Sequence, residues 1–151
     1  MTRIKAYDPI NTAGTARVGG IMKVLFIEDD RMNRRVVRDM LDVAGATMFE
    51  AEDAEQGLAM IAAERWDMIL IDLRMPGMDG VTAIQHIRAR GDDKGRVPII
   101  VVTADAALDL RERCLAAGAD DVIFKPVAMD QLFEAMGRVL AKGAEEGGLI
   151  A

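Results

Sequence analysis

The stretch Lys23-Val-Leu-Phe-Ile-Glu-Asp-Asp30 begins the ordered pattern of this chain. Its first five residues form a short apolar run, which is typical of a strand buried on both faces. The acidic residues that follow end the strand, and Asp30 is placed to cap a helix. The stretch therefore predicts a buried strand, an acidic turn and a helix, which together make the first unit of an α/β fold.

The same alternation of strand and helix recurs along the chain. Short apolar runs predict four further strands, at 47–50, 68–71, 97–103 and 122–124. A helical pattern follows each strand, and the five helices are expected to end near Gly45, Arg65, Ala89, Gly118 and Ala141. Strands that alternate with helices indicate a parallel sheet covered on both faces. We therefore expect an open, doubly wound five-stranded parallel sheet, (βα)5, in the flavodoxin-like order 2-1-3-4-5.

Length and composition limit the classes of protein that are possible. The chain has 151 residues, a net charge of −6, one cysteine and one histidine. An acidic chain does not favour a nucleic-acid surface, and one cysteine with one histidine gives neither a disulfide nor a zinc cluster. No segment approaches the apolar length of a membrane span, so a cytoplasmic protein is expected. We predict a flexible tail at 1–21, one domain at 22–142 and a frayed end at 143–151.

Polar residues stand at the predicted carboxyl ends of four strands. Glu28 and Asp29 follow the first strand, and Asp72 follows the third. Thr103 ends the fourth strand, and Lys125 follows the fifth. Each could have an ordinary structural role alone, as a turn residue, a β-former or a solvated charge. Because parallel strands end at one edge of a sheet, their joint occurrence instead predicts a functional site there.

This set of groups is suited to phosphoryl transfer. Clustered carboxylates repel one another and need a cation, and hard oxygen ligands favour Mg²⁺. A carboxylate beside the ion can attack phosphorus and form an acyl phosphate. An ammonium and a hydroxyl can then neutralise the phosphoryl oxygens.

From Met22 to about Lys142 the sequence resembles the receiver domain of two-component response regulators. The resemblance is carried by four motifs: Val24-Leu-Phe-Ile-Glu-Asp-Asp30, Ile69-Leu-Ile-Asp-Leu-Arg-Met-Pro-Gly-Met-Asp-Gly80, Pro98-Ile-Ile-Val-Val-Thr-Ala104 and Ala117-Gly-Ala-Asp-Asp-Val-Ile-Phe-Lys-Pro126.

The resemblance implies a role for each matched position. Asp72 would be the phosphoacceptor, and Thr103 and Lys125 would bind the phosphoryl oxygens. Mg²⁺ would be held by Asp72, by Asp29, by Glu28 through a water and by the backbone carbonyl of Arg74. The Lys125–Pro126 peptide is usually cis in this family. The chain would be a phosphoacceptor that promotes only its own phosphorylation and dephosphorylation, and not an enzyme with a separate substrate.

Three other classes of protein fit the sequence less well. A flavodoxin-like FMN binder would need a Ser/Thr/Gly-rich loop after the first strand, where this chain is acidic. A phosphatase of the haloacid-dehalogenase type would carry an Asp two residues after the nucleophile, where this chain has Arg74. A pseudo-receiver that serves only as an interaction module would lack one of the site residues, and none is missing.

The resemblance also implies partners. Parts of the sequence look like receivers of hybrid histidine kinases. This favours a histidine kinase or histidine phosphotransfer protein as donor, and a role as a stand-alone receiver, a phosphorelay shuttle or a phosphate sink.

Met32 and Val36 flank the apolar stripe of the first helix and could dock a partner helix; a wider buried stripe is the alternative. The basic residues in 31–38 are interpreted as a solvated face. Val122 stands where receivers often have an aromatic switch residue, so no aromatic flip is expected.

Overall fold

The structure is a computed structural model that describes residues 21–148. The strands are β1 (Lys23–Ile27), β2 (Thr47–Ala51), β3 (Met68–Ile71), β4 (Ile99–Thr103) and β5 (Asp121–Phe124). The α-helices are α1 (Arg31–Val43), α2 (Ala54–Ala63), α3 (Gly80–Arg88), α4 (Leu110–Ala117) and α5 (Met129–Gly148), and a short 3₁₀ turn covers Asp93–Arg96. The predicted tail at 1–21 falls outside the described residues except for Ile21.

The five strands form one parallel sheet in the order β2-β1-β3-β4-β5, which confirms the predicted topology. In register, Leu25 of β1 lies opposite Phe49 of β2 and Ile69 of β3. The central strands are apolar throughout because helices cover both faces of the sheet. This order places β1 and β3 side by side in the middle of the sheet, so that the turns after them are adjacent.

Successive residues of β1 enter two separate cores, because side chains alternate across a strand. Val24 and Phe26 pack with α1 and α5 on one face. Leu25 and Ile27 pack with α2, α3 and α4 on the other face. All four side chains are fully buried. The sheet is therefore held on both sides, which gives the polar turns at its carboxyl edge a rigid support.

Several element ends differ from the predicted ones. Strand β4 begins at Ile99, after Pro98, since proline has no N–H to donate to a strand ladder. Helix α2 ends at Ala63, short of the predicted end near Arg65. Helix α5 continues to Gly148, past its predicted end near Ala141. The sequence at 144–146 is Ala-Glu-Glu, three strong helix formers, so loss of the apolar period did not mark the end of the helix. The division into tail and domain stays a prediction.

Among residues 21–148, no helix combines the length and the apolar character needed to cross a membrane.

Candidate functional site

The predicted site residues lie together at the carboxyl edge of the sheet. Glu28 directly follows β1, and its backbone N–H donates to the carbonyl of Ala51 at 2.9 Å. Asp72 directly follows β3, and its backbone N–H donates to the carbonyl of Ile27 at 3.0 Å. These bonds extend the strand ladders into the turns, so the backbone beneath both acidic side chains is fixed by the sheet.

Three carboxylates meet at this edge. Oxygen atoms of Glu28, Asp29 and Asp72 all lie within 4.8 Å of one another. Glu28 is fully buried and Asp72 is 5% exposed, whereas Asp29 is open to solvent. Three oxygen donors, with solvent on one side, fit Mg²⁺, which prefers carboxylates and keeps several of its waters.

Lys125, which follows the edge strand β5, contacts two of these carboxylates. Its Nζ donates to Glu28 Oε1 at 2.7 Å and lies 3.3 Å from Asp72 Oδ2. The peptide between Lys125 and Pro126 is cis, as the resemblance implied. Burial alone would lower the pKa of the Lys125 ammonium, but the hydrogen bond to Glu28 and the charge of Asp72 raise this pKa above its ordinary value. The lysine is therefore a permanent cation within the acidic cluster.

Glu28 has the most perturbed environment of these acids. Burial raises the pKa of its carboxyl from 4.5 to about 7, opposed by the hydrogen bond from Lys125 and reinforced by the negative charge of Asp72. The buried carboxylate is thus stabilised only in part by its single cation. A divalent ion would supply the missing positive charge.

Thr103 ends β4, the strand beside β3, and Arg74 follows Asp72 by two residues. Thr103 is fully buried at the end of β4, and its Oγ1 accepts a hydrogen bond from the backbone N–H of Asp105 at 3.1 Å. The backbone N–H of Arg74 donates to Asp72 Oδ1 at 3.3 Å, and the Arg74 guanidinium lies 3.2 Å from Asp105 Oδ2. The Arg74 side chain is 75% exposed, so this ion pair adds little stability.

Asp30 has a different role from the two acids before it. Its carboxylate accepts the backbone N–H of Asn33 at 2.9 Å and caps α1. The prediction that Asp30 caps the helix is confirmed. Its own N–H donates to Glu28 Oε2 at 3.2 Å, which links the helix start to the acidic cluster.

Arg34 does not lie on a solvated face of α1, so that prediction is wrong. Its side chain is buried, and Nη1 donates to the backbone carbonyl of Glu28 at 2.8 Å. The spacing gave a signal, because Arg34 stands three residues before Val37 and seven before Leu41, on the buried stripe of the helix. The contact with Glu28 itself could be found only in the folded chain.

The fold and this acidic edge define a class of α/β domain with a carboxylate cluster and a lysine at the carboxyl ends of parallel strands. The family model described as the response regulator receiver domain matches residues 24–137. This chain belongs to the receiver domain family of two-component systems. The match spans all of the sheet except its first residue, Lys23, and includes every predicted site residue.

Two curated relatives illustrate where such sequences occur. The response regulator MprA of Mycobacterium avium is 36% identical over 125 residues, which cover 83% of this chain and 54% of that protein. The sensor histidine kinase AruS of Pseudomonas aeruginosa is 39% identical over 119 residues, or 78% of this chain and 12% of that protein. The chain thus spans about half the length of the response regulators it matches and a small part of the kinase.

Solved structures of receiver domains share the fold. The receiver domain of the sensor histidine kinase PA1611 from Pseudomonas aeruginosa superposes with a TM-score of 0.73 and 35% identity, covering 80% of this chain and 98% of that one. That structure holds a magnesium ion coordinated in its active-site cleft.

Proposed function

We propose that this chain accepts a phosphoryl group on Asp72 from a phosphohistidine donor, in a reaction that depends on Mg²⁺. The observation that supports this most directly is the contact of one lysine ammonium with two carboxylates, Glu28 and Asp72, at the carboxyl edge of the sheet. An acidic cluster with its own cation is suited to charge that increases when a phosphoryl group arrives.

Each residue of the site has its own role in the proposed reaction. Glu28, Asp29 and Asp72 would hold the ion, with the backbone carbonyl of Arg74 as a further ligand. When bound, Mg²⁺ neutralises charge on the phosphoryl oxygens and orients them. An oxygen of Asp72 forms the new bond to phosphorus, while the bond from phosphorus to the donor nitrogen breaks and its electron pair stays on the imidazole.

Thr103 and Lys125 receive the transferred group. Lys125 Nζ already lies beside Asp72, and its positive charge is complementary to the negative phosphoryl oxygens. Thr103 offers a hydroxyl at the end of the neighbouring strand β4. Movement of this threonine carries the change into the loop that leads to α4. Because Val122 is small and buried in β5, no ring is available there to swing inward behind Thr103.

A surface beside the site suits a helical protein donor. Met32 is 71% exposed and Val36 is 44% exposed on α1, although both are large apolar side chains. Val36 also lines a groove together with Asn33, Val127, Pro126 and Lys125, among other residues. Apolar surface that leads to the phosphoacceptor supports docking of a histidine kinase or histidine phosphotransfer protein. The receiver then signals through protein contacts.

The assignment is tested by measuring intact mass after incubation with acetyl phosphate, with and without Mg²⁺. The wild type should gain one phosphoryl group only when Mg²⁺ is present, and Asp72→Asn should gain none. Asp79→Asn is the matched control, because Asp79 caps α3 from the same loop and Asn caps equally well. Phosphoryl addition to Asp72→Asn at the wild-type rate would contradict the assignment.

The donor surface is tested separately with a purified phosphotransfer protein. Met32→Glu and Val36→Glu should slow transfer from the protein donor by about tenfold or more, since a charge in an apolar contact costs well over 1.4 kcal/mol. Both variants should react with acetyl phosphate as the wild type does. Equal transfer from the protein donor would show that this face of α1 is not the docking surface.

A further inference from the structure

Arg34 is a charged residue inside the first turns of α1, and its side chain has two fixed partners. The guanidinium Nη1 donates to the Glu28 carbonyl at 2.8 Å, in a buried hydrogen bond. The guanidinium Nε donates to the carboxylate of Glu50 in β2. One planar group therefore ties the acidic turn after β1 to the neighbouring strand.

The carboxylate of Glu50 holds the Arg34 guanidinium in position. Partial burial would raise the pKa of the Glu50 carboxyl, but the hydrogen bond from Arg34 and the charge of Arg38 hold this pKa below its usual value. The other Glu50 oxygen pairs with Arg38, whose side chain is 40% exposed. Arg38 thus shares the carboxylate of Glu50 with Arg34.

The Glu28 carbonyl matters because it belongs to the peptide that leads into Asp29. The N–H of Glu28 is fixed by Ala51, and the bond from Arg34 fixes the carbonyl side. A buried carbonyl that loses its donor turns toward another partner, since unpaired buried polar groups are costly. Such a rotation would redirect the Asp29 side chain.

We propose that Arg34 is a positioning residue of the Mg²⁺ site: by holding the Glu28–Asp29 peptide, it fixes the direction in which Asp29 presents its carboxylate to the ion. The inference rests on the proposed function, because it assumes that Glu28, Asp29 and Asp72 hold Mg²⁺. Arg34 reaches the site at the backbone carbonyl of Glu28, so it acts on the metal ligands through the backbone.

A simple charge effect predicts the opposite sign. Arg34 is a cation near a cation site, so its removal would strengthen Mg²⁺ binding if only Coulomb repulsion were involved. Removal of a positioning residue weakens Mg²⁺ binding instead, and loss of a group that orients a metal ligand typically costs about 10–100-fold in affinity. The direction of the change therefore separates the two explanations.

The experiment is a calorimetric Mg²⁺ titration of the full chain and three variants. Arg34→Gln and Arg34→Lys should each raise the Mg²⁺ dissociation constant by about tenfold. Lysine keeps the charge but cannot donate to both the Glu28 carbonyl and Glu50 as the planar guanidinium does. Arg38→Gln is the matched control, since it removes an equal charge from the same ion pair, and it should bind Mg²⁺ as tightly as the wild type or more tightly.

A second readout needs no metal. The backbone amide resonance of Asp29 in the metal-free protein should shift in Arg34→Lys and stay in place in Arg38→Gln. Thermal unfolding of each variant is recorded, since a purely structural role lowers stability without changing Mg²⁺ affinity of the folded protein. If Arg34→Gln does not fold, Arg34→Lys decides, because charge alone predicts no change for it.

The titration distinguishes failure of the proposed function from failure of the inference about Arg34. If the wild type itself binds no Mg²⁺, the proposed function fails at its metal site, and the inference fails with it. If the wild type binds Mg²⁺ and Arg34→Lys binds it equally well, the inference is overturned while the proposed function stands.

Discussion

Replacing Glu28 with glutamine should stabilise the metal-free protein at pH 8, although it removes a residue of the proposed site. The fold raises the pKa of this carboxyl from 4.5 to about 7, mainly through burial. Since one pKa unit corresponds to about 1.4 kcal/mol, keeping Glu28 ionised in the folded protein costs about 3 kcal/mol relative to the unfolded chain. Glutamine retains the size and an oxygen acceptor for Lys125 Nζ but carries no charge. Because Lys125 loses a charged partner and the Asp30 N–H loses its acceptor oxygen, the expected gain is about 1–3 kcal/mol and not larger.

The gain should depend on pH in a defined direction. Between pH 4.5 and about 7 the folded protein holds the Glu28 proton, whereas the unfolded chain releases it. The stability that wild-type Glu28 contributes is therefore complete below pH 4.5 and is lost as the pH rises through about 7. Glutamine suffers no such loss. The difference between Glu28→Gln and wild type should be small near pH 4 and reach its full size above pH 7.

Urea unfolding with a chelator present, at pH 4 and pH 8, measures this difference. Glu52→Gln is the control for removal of one negative charge, because Glu52 is an exposed glutamate at the end of β2. Equal or lower stability of Glu28→Gln at pH 8 would refute the reasoning, and an equal gain at both pH values would point to packing in place of charge. Added Mg²⁺ should stabilise the wild type by linkage and stabilise Glu28→Gln much less.

Four further predictions concern the site and its support. Asp30→Ala should lower the free energy of unfolding by about 0.5–2 kcal/mol and leave Mg²⁺ affinity intact, because Asp30 caps α1. Asp29→Asn should instead weaken Mg²⁺ binding and leave the free energy of unfolding nearly unchanged. Equal losses of Mg²⁺ affinity in the two variants, measured by calorimetry, would contradict both predictions. Gly80→Ala should destabilise the domain by about 1–3 kcal/mol in thermal unfolding, since an added Cβ would lie 2.6 Å from the Asp72 carbonyl oxygen; an unchanged midpoint would disagree. Beryllofluoride, a phosphoryl mimic, should shift amide resonances of 103–115, and silence there would exclude a route through Thr103.

Much of the fold could be predicted from the sequence because its determinants are local. The apolar run before Glu28 is a strand, and Asp30 caps α1 as its position predicted. The carboxylates, the threonine and the lysine were found as site candidates because each follows or ends a strand, and parallel strands end at one edge. Where no local pattern marked the end of an element, as for α5, the predicted boundary was wrong.

The partnerships within the site were decided only by the tertiary structure. Lys125 reaches Glu28 across 97 positions of the chain, and only the sheet order brings them to 2.7 Å. Arg34 shows this most clearly, because its position on α1 is local information, whereas its bonds to Glu28 and Glu50 depend on how α1 packs against β1 and β2. Periodicity and capping arise from neighbours in sequence, so the sequence alone determined the elements and their polar ends. Burial, pKa and hydrogen-bond partners arise from neighbours in space, so they were fixed when the helices packed on the sheet.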